Sequence, residues 1–460
     1  MERGGPVVPV YIYEAPSAGG VGSGAASRWW LHHSLNALDD SLRAHASQLS
    51  LFAGDPVARL LELVQTAGAR AVYWNRCYEP AGRARDAAAE SALVAAGIEV
   101  RTFNGALLNE PPAVLNQEGR PFQVFTPYWR RCLALPVLAA TRFSVSPMTA
   151  PRSWPRAQKS TTLALLDEHA AAAPWLALGE PGEKGAAKRL RDFVAQSMEA
   201  YDEQRDRPDL AGTSRLSAAL HFGEVSPRQV WAAVKKSSRE SGIFPPNNGA
   251  RVFLGEIGWR EFAQYSVFHF PHTVDQPFRL AFADFDWAAD PEDRKLKAWQ
   301  SGQTGYPFVD AGMRQLSQSG WMHNRVRMVV ASFLVKHLRL PWQHGAAWFA
   351  QTLADADVAN NTLGWQWSAG CGADAAPYFR IFAPVLQGNK FDPRGDYVRR
   401  WVPELARLPA RAIHAPWLAE PEQLAVAGVR LGENYSPPIV DHVTARHEAL
   451  AAFKALRRSR

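Results

Sequence analysis

Apolar and polar positions change their spacing once along this chain, and the change divides it. Over residues 1–130 short β-branched runs alternate with amphipathic stretches. VVPVYIYEA (7–15) predicts a strand and SRWWLHHSLNALDDSLRAHA (27–46) an amphipathic helix. PVARLLELVQTAG (56–68) predicts a second helix, ARAVYWN (69–75) a strand, ARDAAAESALVAAG (84–97) a helix and IEVRTFN (98–104) a further strand. Strand–helix alternation implies a doubly wound parallel sheet covered by helices on both faces. Residues 131–195 are rich in Pro and Ala and read as an interdomain linker. Beyond them the pattern is helical. AAKRLRDFVAQSMEAYDEQ (186–204), SPRQVWAAVKKSS (226–238), FVDAGMRQLSQ (308–318) and RVRMVVASFLVKHL (325–338) place apolar residues at i, i+3, i+4 and i+7. The expected fold is therefore α/β plus all-α: a parallel-sheet domain over 1–130, the linker, and an all-helical domain over 196–460.

Composition narrows the setting. The 460 residues are 47% hydrophobic and 21% charged, as in an ordinary globular protein. No run approaches the ~20 apolar residues that span a bilayer, and the opening MERGGPVVPVYIYEAP lacks an export signal. A cytoplasmic protein without membrane partners is expected. Cys77, Cys132 and Cys371 are far apart with no CxxC pair, which argues for reduced structural thiols and against zinc. The net charge of +7 favours a polyanionic partner, because Lys and Arg contacts to phosphate dominate nucleic-acid affinity. Seventeen tryptophans are an unusual supply of aromatic core and interface residues.

The α/β part offers little chemistry. GGVGSGAAS (19–27) spaces its glycines unevenly and reads as a surface loop rather than a phosphate cradle. HExxH, GxSxG and paired Cys/His sets are absent, so hydrolase and metal-enzyme readings have no support. The helical part is different. In GTSRLSAALHF (212–222) hydroxyls, backbone N–H groups and one guanidinium gather near a helix start, which suits a pyrophosphate; Thr213 or Ser214 could equally be a plain N-cap. GEIGWREFAQY (255–265) sets Glu256, Trp259, Arg260 and Glu261 within two turns, where Glu256 and Arg260 could equally form an i,i+4 surface pair. In GWMHNRVRM (320–328) Asn324 shares a face with Met328, and His323 with Arg327. LADADVANNTLGWQW (353–367) concentrates acids and amides on a helix, and each demands a partner.

These segments, with TGYPFVDAGMRQL (304–316) and DAAPYFRIF (374–382), resemble the photolyase/cryptochrome family, and within it most closely the bacterial class I cyclobutane pyrimidine dimer photolyases. The resemblance runs from about residue 8 to 455 and implies FAD in the helical domain. Tyr201 and the run Thr213, Ser214, Arg215, Leu216, Ser217 would hold its phosphates. Phe253, Glu256, Trp259 and Arg260 would line the pocket. Asp355, Ala356 and Asp357 would meet the ribose and the isoalloxazine edge, with Arg327 paired to Asp355. Asn361 would accept a hydrogen bond from the reduced flavin. Trp365, Trp342 and Trp287 fall where the family places its electron-hopping chain.

The resemblance also implies a substrate: DNA carrying pyrimidine dimers, with the lesion flipped out of the stack. Trp259 and Trp367 would be its aromatic walls, and Glu256 would hydrogen-bond the pyrimidine carbonyls as charge develops. Asn324 and Met328 would border the lesion. Arg205, Arg325, Lys390 and Arg399 are candidate phosphate contacts, each also readable as a solvated charge. The (6-4) photolyases need histidine where Asn324 and Met328 stand, so cyclobutane dimers are the implied lesion and reduced FAD the light-driven electron donor. A cryptochrome-like receptor that binds FAD without repair is the alternative. The implied protein is a monomer.

Two departures from the family pattern stand out. The chain opens on what corresponds to the family's second strand, so the first strand of the sheet is expected to be missing, by truncation or a misplaced start. The lysine and acidic residue associated with folate binding are not found in HTVDQPF (272–278) and VRTFNGA (100–106). That argues against methenyltetrahydrofolate and leaves a deazaflavin, a second flavin or no antenna.

Overall fold

The computed structural model describes residues 5–14, 24–140, 148–157, 163, 165–166, 179–238 and 242–458. The glycine run 19–23 and much of the 131–195 linker lie outside the described residues.

The N-terminal half alternates β1 (Val10–Tyr13), α1 (Ala25–Arg43), β2 (Ser50–Ala53), α2 (Pro56–Ala67), β3 (Ala71–Asn75), α3 (Pro80–Ala95) and β4 (Glu99–Phe103). Both ends of α2 follow from local chemistry. Asp55 accepts the Ala58 N–H as N-cap, worth about 1 kcal/mol, and Gly68 closes the helix at φ 60°. All strand pairing is parallel, but the single expected sheet is two ladders among the described residues. β1 pairs with β2 and β3 with β4, since no described segment supplies a strand between β1 and β3. The SLFA strand β2 escapes a pattern reading because four residues are too few to establish alternation.

The C-terminal half is helical: α4 (Phe125–Leu133) leads into it, followed by α5 (Glu183–Gln196), α6 (Ser217–His221), α7 (Pro227–Ser237), α8 (Asn248–His269), α9 (Pro307–Ser319), α10 (Asn324–Ser332), α11 (Trp342–Thr352), α12 (Val358–Ala369), α13 (Pro384–Phe391), α14 (Asp396–Trp401) and α15 (His442–Arg458). The helix expected over 186–204 breaks after Gln196 and resumes as one turn at Tyr201–Gln204. Gly249 of α8 crosses there, and a Cβ on it would lie 2.1 Å from the Met198 carbonyl oxygen. The helix expected over 325–338 passes into a π turn at Phe333–His337.

Helix α8 is buried on nearly every side, from Phe253 and Leu254 to Phe262, Tyr265 and Val267. It carries the crossing between halves. Glu261 Oε2 accepts the N–H groups of Leu108 (2.8 Å) and Asn109 (3.3 Å), and burial pushes its carboxyl up to about 7. Tyr265 Oη accepts the Phe122 N–H and donates to the Val114 carbonyl, both at 2.8 Å. Trp129 of α4 lies so close that a Cβ on Gly258 would sit 2.6 Å from its ring. The largest hydrophobic cluster lies deeper in the helical half, around Trp299, Phe308, Phe333 and Trp365.

Candidate active site

A cavity of about 510 Å³ opens among α6, α8, α10 and α12, within the usual range for cofactor and ligand sites. Its wall gathers Tyr201, Arg205, Thr213, Ser214, Arg215, Leu216, Ser217, Phe253, Glu256, Trp259, Arg260, Asn324, Arg327, Met328, Asp355, Ala356, Asp357, Asn361, Trp365 and Trp367. These residues come from segments more than 160 positions apart in the sequence.

One part of the wall is the Thr213–Ser217 run. The N-cap of α6 is Leu216, with no side-chain capping bond, so neither Thr213 nor Ser214 serves as the N-cap allowed by sequence. Arg215 holds φ 49°, a left-handed conformation, and its guanidinium lies 4.5 Å from the Trp321 ring centroid. Hydroxyls, a cation and a short helix start thus share this part of the wall.

A second part of the wall is built by the start of α12. Asp357 caps the helix: Oδ1 accepts the N–H and side-chain amide of Asn360, both at 2.7 Å. Asp355 is 9% exposed and both its oxygens accept from Arg327 Nη2, at 2.9 and 3.1 Å, as the resemblance implies. Arg327 Nε is held by the Met322 carbonyl at 2.8 Å. Asn361 Nδ2 donates to the Ala346 carbonyl at 2.9 Å, which leaves its Oδ1 as an acceptor toward the cavity. Trp365 is 2% exposed and packs on Phe349 and Trp299. Gly345 must be bare there, since a Cβ would meet the indole at 2.0 Å.

The third wall is aromatic. Trp259 stacks on Phe125 with centroids 3.8 Å apart and planes 10° from parallel, so α4 backs it rigidly. Glu256 does not pair with Arg260 as the i,i+4 spacing allowed. Its Oε1 accepts from Arg205 Nη1 at 2.6 Å, while Arg260 donates to the Ala106 (2.7 Å) and Leu220 (3.3 Å) carbonyls. Burial raises the Glu256 pKa above the ordinary carboxyl value and Asp206 adds to it, against the Arg205 charge. Asn324 and Met328 share one face as expected, Nδ2 to Sδ 3.9 Å. His323 is structural: it caps α10 through Nδ1, and burial pushes its pKa down to about 4.

Other expected residues stand outside the cavity. Arg325 pairs with Asp206 at 2.6 Å and covers the Phe391 ring, and Lys390 approaches the same ring. Arg399 is engaged by the Ala406 (3.0 Å) and Leu408 (2.8 Å) carbonyls. Trp342 is buried at the start of α11, and Trp287 is half-buried against Phe285. The sequence reading missed Phe125, His221 and Trp321. Phe125 carries no motif and acts by position alone, whereas Trp321 within the quoted 320–328 run and the imidazole of His221 within 212–222 were usable signals. No helix among the described residues is long and apolar enough to cross a membrane.

The residues fit FAD: hydroxyls and a guanidinium, carboxylates and an amide, and apolar and aromatic side chains line one cavity. The comparisons agree. Residues 253–455 match the family described as FAD binding domain of DNA photolyase, and residues 1–150 match DNA photolyase. The chain is 46% identical over its whole length to a deoxyribodipyrimidine photo-lyase of Agrobacterium fabrum, covering 94% of that protein. It is 40% identical to Cryptochrome-1 of Arabidopsis thaliana, over 98% of this chain and 67% of that one. A crystal structure titled as a bacterial class III photolyase from Agrobacterium tumefaciens superposes with a TM-score of 0.94 at 47% identity, covering 99% of this chain and 93% of that one. That relative is a class III photolyase, so the expected placement among the class I enzymes is not supported. On fold, cavity and relatives together, the chain belongs to the photolyase/cryptochrome family.

Proposed function

We propose that the protein is a carbon–carbon lyase that binds reduced FAD in this cavity and uses blue light to split cyclobutane pyrimidine dimers in DNA. The observation that carries the reading is the meeting, in one cavity, of a phosphate-type end, a carboxylate–amide wall and an aromatic wall bordered by Asn324 and Met328. When bound, reduced FAD supplies a light-driven electron to the dimer and recovers it after the ring opens.

The chain's own residues do the rest. Tyr201 and Thr213–Ser217 hold the phosphates; Phe253, Arg260, Asp355, Ala356, Asp357 and Asn361 fix the flavin. Arg327 holds the Asp355 carboxylate in place through both its oxygens. Trp259 and Trp367 present flat apolar faces to a flipped lesion, and Glu256 offers a hydrogen bond to its carbonyls. Arg205, Arg325 and Lys390 supply positive charge for the DNA backbone. Arg399 is left out, because its guanidinium already serves three backbone carbonyls. Trp365, Trp342 and Trp287 relay electrons to a cofactor that has become oxidised. We place the antenna-type domain at 1–130, the linker at 131–195 and the catalytic domain at 196–460, in a monomer of the bacterial cytosol.

The test is illumination of the flavin-reduced protein with an oligonucleotide containing one dimer. Light-dependent loss of the dimer, absent in the dark, is expected; flavin bound without repair would sink the enzyme reading and favour the photoreceptor one. Trp287 stands outside the cavity, so Trp287→Phe is expected to suppress photoreduction of the oxidised protein. Repair by chemically reduced protein should be unchanged, and the two rates measured side by side decide it.

A further inference from the structure

Four charged side chains stand in line from the cavity wall outward. Glu256 Oε1 accepts from Arg205 Nη1 at 2.6 Å, and both residues line the cavity. Arg205 Nε lies 3.9 Å from Asp206 Oδ1, an ion contact rather than a hydrogen bond. The other Asp206 oxygen, Oδ2, accepts from Arg325 Nη2 at 2.6 Å. Arg325 is the second residue of α10, directly after the cavity residue Asn324. Its guanidinium lies 4.4 Å from the Phe391 ring centroid, and Lys390 Nζ lies 5.1 Å from the same centroid. Two cations thus meet at one ring beyond the acid. The line is set by the tertiary fold, since Glu256 is 51 residues from Arg205 and Arg325 is 119 from Asp206. The Arg205 N–H donates to the Tyr201 carbonyl, which fixes the backbone where Arg205 and Asp206 leave their helical turn.

Two guanidiniums and two carboxylates make up this line. The other ionisable groups around it are engaged elsewhere or neutral. Arg327 is paired with Asp355, Arg207 with Asp209, and Arg215 lies on the Trp321 ring. His323 has a pKa pushed down to about 4 by burial, so it is uncharged at neutral pH. Tyr201, whose ring centroid is 5.8 Å from the Arg205 guanidinium, has its pKa raised by burial and stays a phenol. Among the described residues, Asp206 is the acid that contacts both Arg205 and Arg325. The four side chains are 17–29% exposed, so water weakens these contacts without abolishing them. Without the Asp206 charge, the two guanidiniums would lose their shared counter-ion and repel each other, and Arg205 would lose one of its two anchors.

We propose that Asp206 is a positioning residue that couples the grip on the DNA backbone to the grip on the lesion. It holds Arg325, which meets a backbone phosphate, and Arg205, which holds Glu256 toward the pyrimidine carbonyls. This rests on the reading of the cavity as a site of dimer repair. A phosphate at the Arg325 and Lys390 cations orders the Arg325 side chain. Through Asp206 the order passes to Arg205, and Glu256 then has less freedom left to lose when the lesion arrives. Coupling between two binding contacts is reciprocal, so a lesion held by Glu256 strengthens the backbone contact by the same factor. No bond is made or broken in this step, and no proton moves.

The test is a double-mutant cycle on the flavin-loaded protein, with Arg325→Ala and Glu256→Ala made singly and together. The quantity read is the dissociation constant for an oligonucleotide containing one dimer, measured in the dark. Each change should weaken binding, and the combined loss should be about 5-fold smaller than the product of the two, within the range for members of one charged network. In an Asp206→Asn background, which keeps the side-chain shape without the charge, the two losses should simply multiply. A residue that only supports the fold would lower stability and leave the cycle unchanged. Losses that multiply in the wild-type background overturn the proposal, and so does a coupling that survives in Asp206→Asn. Should Asp206→Asn not fold, the wild-type cycle repeated at rising salt decides: a coupling that shrinks supports the ion bridge, and a salt-independent one overturns it. A flavin-loaded wild type that binds the dimer no better than undamaged DNA and does not repair it in light overturns the underlying reading instead.

Discussion

Glu256→Ala is expected to slow light-dependent dimer loss by about 100-fold while flavin stays bound, since deleting one preorganised polar group from a closed site costs on the order of 10²–10³ in rate. One Glu256 oxygen is anchored by Arg205 at 2.6 Å. The other is available to a carbonyl placed against Trp259. Burial raises the pKa of the acid, so its protonated, hydrogen-donating form persists to higher pH than an ordinary glutamate allows. Repair that uses this proton should therefore fall as pH rises through the raised pKa. Glu256→Gln keeps a donor and should retain most of the rate without that pH dependence. Chromatographic quantitation of repaired oligonucleotide, under continuous light and at several pH values, reads both effects. Loss of flavin from Glu256→Ala would instead assign the residue to the cofactor wall.

Arg327→Leu should be the most damaging single change to the site's stability. Asp355 has a side chain only 4% exposed and depends on Arg327 for both its oxygens. Removing one member of a buried pair leaves an uncompensated charge, at a cost of roughly 3–5 kcal/mol. The Arg327 side chain is 25% exposed, so water moderates the loss toward the lower figure, about 3 kcal/mol. Denaturant midpoints and the ratio of flavin to protein absorbance measure the two consequences, unfolding and cofactor loss. The double variant Arg327→Leu/Asp355→Leu should recover most of the stability, because no orphan carboxylate remains, but not the flavin. A single-variant loss below about 1 kcal/mol would mean that the pair behaves as a solvated surface bridge.

Much of this was legible from spacing alone. α1, α2, α3 and α7 lie where the apolar period puts them, because each has one face to bury; Asp55 and Gly68 bound α2, and a capping box opens α7. What escaped the period was imposed from outside the element. The break after Gln196 comes from the close crossing of Gly249, sequence-distant and invisible to a local window. The Glu256–Arg260 spacing was right for a pair, but Arg205 and the Ala106 and Leu220 carbonyls offered better-buried partners. The motif residues of the cavity were readable because each motif carries its own chemistry. Phe125 was not, because its role is only to stand behind Trp259. The split of the sheet into two ladders depends on which strands are neighbours, and alternation within a strand carries no such information.

The Glu261 and Tyr265 bonds to residues 108–122 have a consequence for heat. Fraying of the N-terminal half would strip partners from a carboxylate and a phenol on α8, the helix that also forms the cavity wall. Each buried group left without its partner costs about 1–3 kcal/mol, so opening of residues 108–122 is coupled to the cavity wall. A ligand that stabilises the cavity is therefore expected to slow hydrogen exchange in residues 108–122 as well.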